Sequence, residues 1–243
     1  DYGRSTVKAA KEFGKEDKVI FPSVISYDPE IVDKKADLGG INSFDKLNHL
    51  KVKIDGKELG VGKAAQGGEY SLDSSSYDDI KSNRAKNLIL TAISLLLDSD
   101  PESINLVLSL PADQYSNEKE DFKSKFEGQN FKIAVYNYDK SKYICKKFYI
   151  NNVIVKQQGF LALMHHILNE NGDFKAHKTD IINSTISIID IGKYSSDLFV
   201  CEELEPVNIS NPTNKIPGMN KAFEEIRSKL LSKYNLRIKP HRL

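Results

Sequence analysis

Apolar residues recur at helical spacing most clearly at Leu88, Ile89, Ala92, Ile93, Leu96 and Leu97, which predicts a core-facing helix. Ser76 or Asp78 is placed to cap its start, and Pro101 lies beyond its end. The run SINLVLSLP that follows reads as a buried strand of a central sheet. SNEKEDFKSKFEG is a polar helix that stops at Gly128. FKIAVYNY and KKFYINNVIVK read as two strands that pair. QGFLALMHHILNENG predicts a helix closed by Asn171-Gly172. STISIIDIG is a buried strand, and SSDLFVCEELE is the strand that leaves it. GMNKAFEEIRSKLLSKY is amphipathic, with Phe223, Ile226, Leu230 and Leu231 on one helical face.

Nearer the N-terminus, Ser5 to Phe13 and Val19 to Ser26 read as two strands around a turn at Gly14. The stretch from Asp28 to Gly68 is polar and glycine-rich. Inside it, LKVKIDGKELGVG alternates on both sides of Asp55-Gly56, a favoured hairpin turn. Alternating strands and helices argue an α/β protein. One pattern occurs twice: Asp1-x-Gly3-Arg4-x-Thr6 and Asp190-x-Gly192-Lys193-x-Ser195. Each copy sits in a strand, turn, strand unit, so the chain carries an internal repeat of a supersecondary element.

Composition narrows the picture only a little. Of 243 residues, 40% are apolar, enough for a real core. Lys plus Arg is 35 and Asp plus Glu is 34, so bulk charge favours neither nucleic acid nor an anionic membrane. No apolar run approaches a membrane span, and no secretory leader is visible. Cys145 and Cys201 are too few for a zinc cluster; either they are two reduced thiols or they form one disulfide. The simplest reading is two reduced cysteines in a cytoplasmic protein. The chain opens at Asp1 without Met, inside a candidate functional turn, so a trimmed chain is expected.

The repeated turn has a definite chemistry. Glycine lets backbone approach a ligand closely, and successive N–H groups form an anion-binding concavity. Ser and Thr hydroxyls add donors, and Arg4, Lys8 or Lys193 adds positive charge. A phosphate chain fits such a cradle. The aspartate in each turn repels phosphate unless a cation such as Mg²⁺ lies between them. Two such turns facing each other are expected to clamp the phosphates of one nucleotide.

The pair of turns resembles the two phosphate motifs of the actin-like ATPase superfamily. VIFPSVIS, LGVGKAA, VIVKQQGFLALMHHIL and IPGMNKAFEEI are similar, in order, to further landmarks of ParM-type plasmid-segregation actins and their archaeal relatives. The resemblance implies a two-domain actin-like (ribonuclease H-like) α/β fold, with a duplicated mixed sheet and flanking helices, incomplete at the C-terminus. Domain I spans 1–156 with a small subdomain inserted at 28–76, and 157–243 holds the interdomain helix and the first part of domain II.

Roles follow from the same resemblance. Asp1 and Asp190 match residues that hold Mg²⁺ through water. Gly3, Arg4, Ser5 and Lys8 match the first phosphate loop and its basic residue. Gln158 matches the residue that positions the attacking water, together with Asp190. Gly192, Lys193 and Tyr194 match the second loop, although that loop usually carries smaller residues, and Gly218 matches a glycine near the base. The implied ligand is ATP or GTP with Mg²⁺. The implied activity is nucleotide hydrolysis, coupled to head-to-tail filament formation and to DNA segregation through an adaptor protein. No membrane and no direct sequence-specific nucleic-acid contact is expected. The rival readings are a small-molecule kinase, with Asp113 as the base, and a non-catalytic actin-like scaffold.

Other candidates are weaker. GKELGVGKAA lacks the first glycine of a P-loop, where Lys57 stands, and Ala64 replaces its Ser/Thr. His165 and His166 are neighbours that face different directions on a helix. YDKSKYICKKFY interleaves basic and aromatic residues, which a solvated strand explains as well as a nucleic-acid face does.

Overall fold

The computed structural model describes residues 2–3, 5–11, 17–28, 47, 49–66, 71–72, 83–98, 102–176, 178–207 and 216–237. The chain divides into two units, Asp1–Leu110 with Gln114–Lys156, and Pro111–Asp113 with Gln157–Leu243.

In the first unit, β1 (Thr6–Ala10) and β2 (Lys18–Pro22) form an antiparallel hairpin in which Val7 pairs with Phe21. These strands are shorter than the pattern predicts, and the predicted turn at Gly14 lies outside the described residues. Pro22 offers no N–H to prolong the ladder. The chain then crosses into another sheet as β3 (Ile25–Ser26). β4 (Leu50–Ile54) and β5 (Lys57–Val61) are joined through Asp55 and Gly56, both at positive φ as a two-residue hairpin turn requires. β6 (Ser71–Leu72), α1 (Asn83–Leu96), β7 (Glu102–Leu110), α2 (Ala112–Ser124), β8 (Gln129–Asn137) and β9 (Lys142–Gln157) follow. The proposed caps Ser76 and Asp78 lie outside the described residues.

Among the described residues, one sheet runs in the order β6-β3-β5-β4-β8-β9-β7. Its apolar face, with Val52, Ile54, Ile133, Phe148 and Ile150, packs with Leu88 and Ile89 of α1 and with Phe122 and Phe126 around α2. β8 and β9 pair as their alternation predicts, from Gln129↔Ile150 to Asn137↔Lys142. Two expectations need correction. β7 is buried only at Leu108, Ser109 and Leu110, because its earlier residues alternate between covered and open faces. The polar helix ends at Ser124, before Gly128, and a turn at positive φ carries the chain into β8. The carboxylate of Glu127 in that turn accepts the Val153 amide at 3.0 Å and the Lys123 ammonium at 3.1 Å.

The second unit comprises α3 (Gln158–Ile167), the single turn α4 (Thr179–Ile182), β10 (Thr185–Ile191), β11 (Ser195–Glu202), β12 (Glu205–Pro206), β13 (Ile216–Pro217) and α5 (Met219–Tyr234). Leu163 and Ile167 of α3 pack with Phe199 and Cys201 of β11, joined by Ile186 and Ile188. α3 lies so close to β11 that a Cβ on Gly159 would overlap the Phe199 side chain. The helix stops at Ile167, short of the predicted Asn171-Gly172 end. There the Asn169 side chain accepts the amides of Asn171 and Asp173, both at 2.9 Å, and competes with further helix.

β10 is not the buried strand its composition predicts. Its second face is open, with Ile189 66% and Ile191 62% exposed and Leu198 of β11 beside Ile189. Among the described residues β10 is also a sheet edge. The amphipathic face of α5 is likewise incompletely covered, since none of its described residues is buried and Ile226 and Leu231 are exposed. Both cysteines are free thiols. Among the described residues no helix is long and apolar enough to cross a membrane.

Candidate functional site

The two repeated turns have one geometry. In the first, the Gly3 amide donates to the Thr6 carbonyl at 3.1 Å, and Tyr2 bridges to Val7. In the second, the Gly192 amide donates to the Ser195 carbonyl at 2.8 Å, and Ile191 pairs with Ser196. Register and closing bond are therefore the same, residue for residue. Both glycines are needed at these places. A Cβ on Gly3 would sit 2.8 Å from the Thr6 carbonyl oxygen, and one on Gly192 would sit 2.9 Å from that of Ser195.

The carbonyls of each turn are tied back. Ser23, between β2 and β3, donates its hydroxyl to the Gly3 carbonyl at 2.6 Å and its amide to the Ser5 carbonyl at 3.0 Å. In the second unit the start of α5 does the same work. The Met219, Asn220 and Gly218 amides donate to the carbonyls of Gly192 (3.0 Å), Lys193 (2.7 Å) and Tyr194 (3.3 Å). Gly218 makes this docking possible, because a Cβ there would lie 2.5 Å from the Gly192 oxygen and 2.6 Å from the Ser195 nitrogen. Among the described residues the amides of Ser5, Lys193 and Tyr194 have no protein acceptor. Among the described residues the carbonyls of Gly3, Ser5, Gly192, Lys193 and Tyr194 are thus bound from behind while the amides of Ser5, Lys193 and Tyr194 stay open, which is the polarity an anion requires.

A carboxylate pair accompanies the second turn. Asp190 and Asp197 are direct cross-strand partners on the face that packs against α3. The Ser195 hydroxyl donates to Asp197 at 3.3 Å. Gln158 opens α3, and its neighbour Gly159 packs on Phe199, one cross-strand pair from Asp190 and Asp197 on that same face. Two like charges side by side destabilise a strand pair. An oxygen-seeking divalent cation such as Mg²⁺ relieves that repulsion, and this donor set fits one held largely through water.

The comparisons with known proteins bear on this arrangement. A family model described as the N-terminal domain of actin-like proteins matches residues 1–160. The chain belongs to the actin-like proteins. No curated protein matches it in sequence. Its fold is that of actin-like structures. The archaeal actin homolog Ta0583 is 17% identical with a TM-score of 0.68, over 99% of this chain and 68% of that one. The actin-like protein Alp7A is 18% identical with a TM-score of 0.63, over 90% and 60%. ParM of Bacillus thuringiensis, solved with ATP, is 18% identical with a TM-score of 0.59, over 96% and 63%. This actin-like chain therefore spans roughly two thirds of the length of each.

Of the residues singled out in this actin-like sequence, Asp1 and Arg4 lie outside the described residues. Gly3 and Ser5 are in the first turn, and Lys8 is exposed on β1 opposite Ile20. Lys193 is exposed and lies 5.2 Å over the ring of its neighbour Tyr194, so the larger loop residues pack on each other. Ser23, Asp197 and Arg84 were not identified from the sequence. Asp197 had a signal, because it shares a strand face with Ser195, two residues before it. Ser23 and Arg84 had none, since their partners are distant in the chain. The P-loop look-alike is excluded: the Gly62 amide is used by the Val24 carbonyl at 3.0 Å. Lys178 donates to the Nε2 ring nitrogen of His166 at 2.9 Å, and among the described residues no three metal-ligating side chains cluster. In the basic-aromatic stretch, the Lys53 ammonium lies 4.2 Å over the Tyr143 ring and covers that ring face, as Lys51 does for Tyr136 just before the stretch.

Proposed function

We propose that this actin-like chain binds ATP or GTP with Mg²⁺, hydrolyses it, and assembles head-to-tail into filaments that serve DNA segregation through an adaptor protein. The observation that carries the reading is the matched pair of turns, closed by the same bond, with described carbonyls tied back and the Ser5, Lys193 and Tyr194 amides open. Ta0583 in complex with ADP and ParM with ATP support a nucleotide as the ligand.

In this reading the Ser5 amide of the first turn and the Lys193 and Tyr194 amides of the second donate to phosphate oxygens, with Arg4, Lys8 and Lys193 adding charge. Asp190 holds Mg²⁺ through water beside Asp197, and Asp1 does so from the first turn. Bound Mg²⁺ supplies neutralisation of phosphate charge. Gln158 and Asp190 orient the attacking water, and Gly218 keeps the second turn in place. The filament contact is heterologous and does not close.

Calorimetric titration with ATP and GTP, with and without Mg²⁺, tests binding; phosphate release tests turnover; negative-stain microscopy under the same conditions tests assembly. The proposal predicts Mg²⁺-dependent binding, slow release of phosphate and nucleotide-dependent filaments. Absence of nucleotide binding overturns the whole reading, and monomers under every nucleotide overturn the filament part.

A further inference from the structure

Arg84, the second residue of α1, is 2% exposed. Its guanidinium donates to the Ser23 carbonyl at 2.5 Å and to the Tyr2 hydroxyl at 3.3 Å, and its buried Nε meets no acceptor. Among the described residues no carboxylate lies within ion-pair distance of it. Arginine keeps its charge in a protein interior, and a buried charge without a counter-charge is costly. Yet Arg84 stands at a place where charge has a use. The Ser23 it holds is the residue whose hydroxyl and amide tie back Gly3 and Ser5, and the Tyr2 it holds is the residue just before Gly3.

We propose that Arg84 is the positioning residue and resident positive charge of the first turn: it fixes Tyr2 and Ser23 so that the Ser5 amide stays open, and a polyphosphate anion seated on that turn supplies a counter-charge that the described residues do not. This rests on the reading of the turn as a phosphate site, but not on the ligand being a nucleotide. Arg84 acts through Ser23 and Tyr2 and through its field, without touching the ligand. A purely structural arginine and a charge kept for an anion differ in the ligand-free protein. Removing the first lowers stability whether or not an anion is present. Removing the second relieves a buried charge and weakens anion binding.

The test compares wild type with Arg84→Met, Arg84→Lys and Ser23→Ala. Binding of Mg²⁺-tripolyphosphate and of Mg²⁺-ATP is measured by calorimetry, and melting is measured without ligand. Arg84→Met is expected to melt no lower than wild type. It should bind both ligands on the order of tenfold more weakly, about 1.4 kcal/mol, through loss of the field of one buried charge and of the turn's positioning. Arg84→Lys should recover part of the affinity, and Ser23→Ala should lose part of it with the charge intact. If Arg84→Met does not fold, the last two variants carry the comparison. Tripolyphosphate binding by Arg84→Met at wild-type strength, or binding lost only together with a clear drop in ligand-free melting, overturns the proposal, and wild-type binding by Ser23→Ala overturns its positioning half. Wild type that binds tripolyphosphate but no nucleotide sinks the nucleotide reading and leaves Arg84 standing. Wild type that binds neither sinks both.

Discussion

Asp190 stands directly opposite Asp197 across the ladder of β10 and β11, two carboxylates sharing one face beside the second turn. Such a like-charge pair weakens strand pairing by about 0.2–1 kcal/mol. Asp197→Asn should therefore raise the melting temperature slightly in magnesium-free buffer, while removing the Mg²⁺-dependent part of nucleotide binding. Melting curves with EDTA, with Mg²⁺ and with Mg²⁺-ATP check both halves. A variant that melts lower without metal and still answers to Mg²⁺ would mean the pair holds no cation.

Gly218→Ala tests the docking of α5 on the second turn. The new methyl would meet backbone of Gly192, Lys193 and Ser195, which cannot swing aside as a side chain can. A loss of about 1–3 kcal/mol is expected, as for other overpacked sites. Nucleotide binding should fall with it, because the carbonyls of the turn lose their holders. Urea unfolding and calorimetry on the same preparation separate the two effects.

Gly159→Ala should push α3 off β11 through Phe199, again at a cost of about 1–3 kcal/mol. The second change Phe199→Leu should return part of that loss by clearing the space. A double-mutant cycle in urea gives the coupling, and strictly additive effects would show that the two residues do not meet.

Glu127 gives a pH signature in the first unit. The Val153 amide, and after it the Lys123 ammonium, hold its carboxyl below the ordinary value of 4.5, against a smaller opposing effect of burial. A depressed folded value means stabilisation that is present above pH 4.5 and lost as pH falls through the folded value. Glu127→Gln should thus be less stable than wild type near neutrality, with the gap closing in acid. Denaturant midpoints across that range check it, and a gap independent of pH would assign the effect to shape and not to charge.

Local pattern decided much of this fold. The Asp55-Gly56 hairpin, α1 and the β8–β9 pair all follow from residue spacing and turn chemistry that act within a few positions. The repeat of Gly3 and Gly192 was legible too, because the amide–carbonyl bond that closes each turn spans only three residues. Burial of β10 was not legible. Apolar residues at both Ile188 and Ile189 read alike whether one face is covered or two. The end of α3 turned on one side chain, Asn169, competing for amides. Ser23 and Arg84 gain their meaning from partners twenty or more residues away, and no periodicity marks them.

The open face of β10 is expected to stick to copies of the chain whether or not nucleotide is bound. Ile189 and Ile191 lie on β10, a sheet edge among the described residues, with Leu198 of β11 beside Ile189 on the same open face, the kind of surface that adheres to its own copies. Adhesion of this type strengthens on warming and survives high salt and chelator. Turbidity that outlasts EDTA and clears in the cold would come from this strand, and Ile189→Lys should abolish it. Only scattering that collapses when Mg²⁺ is withdrawn would count toward the proposed filament.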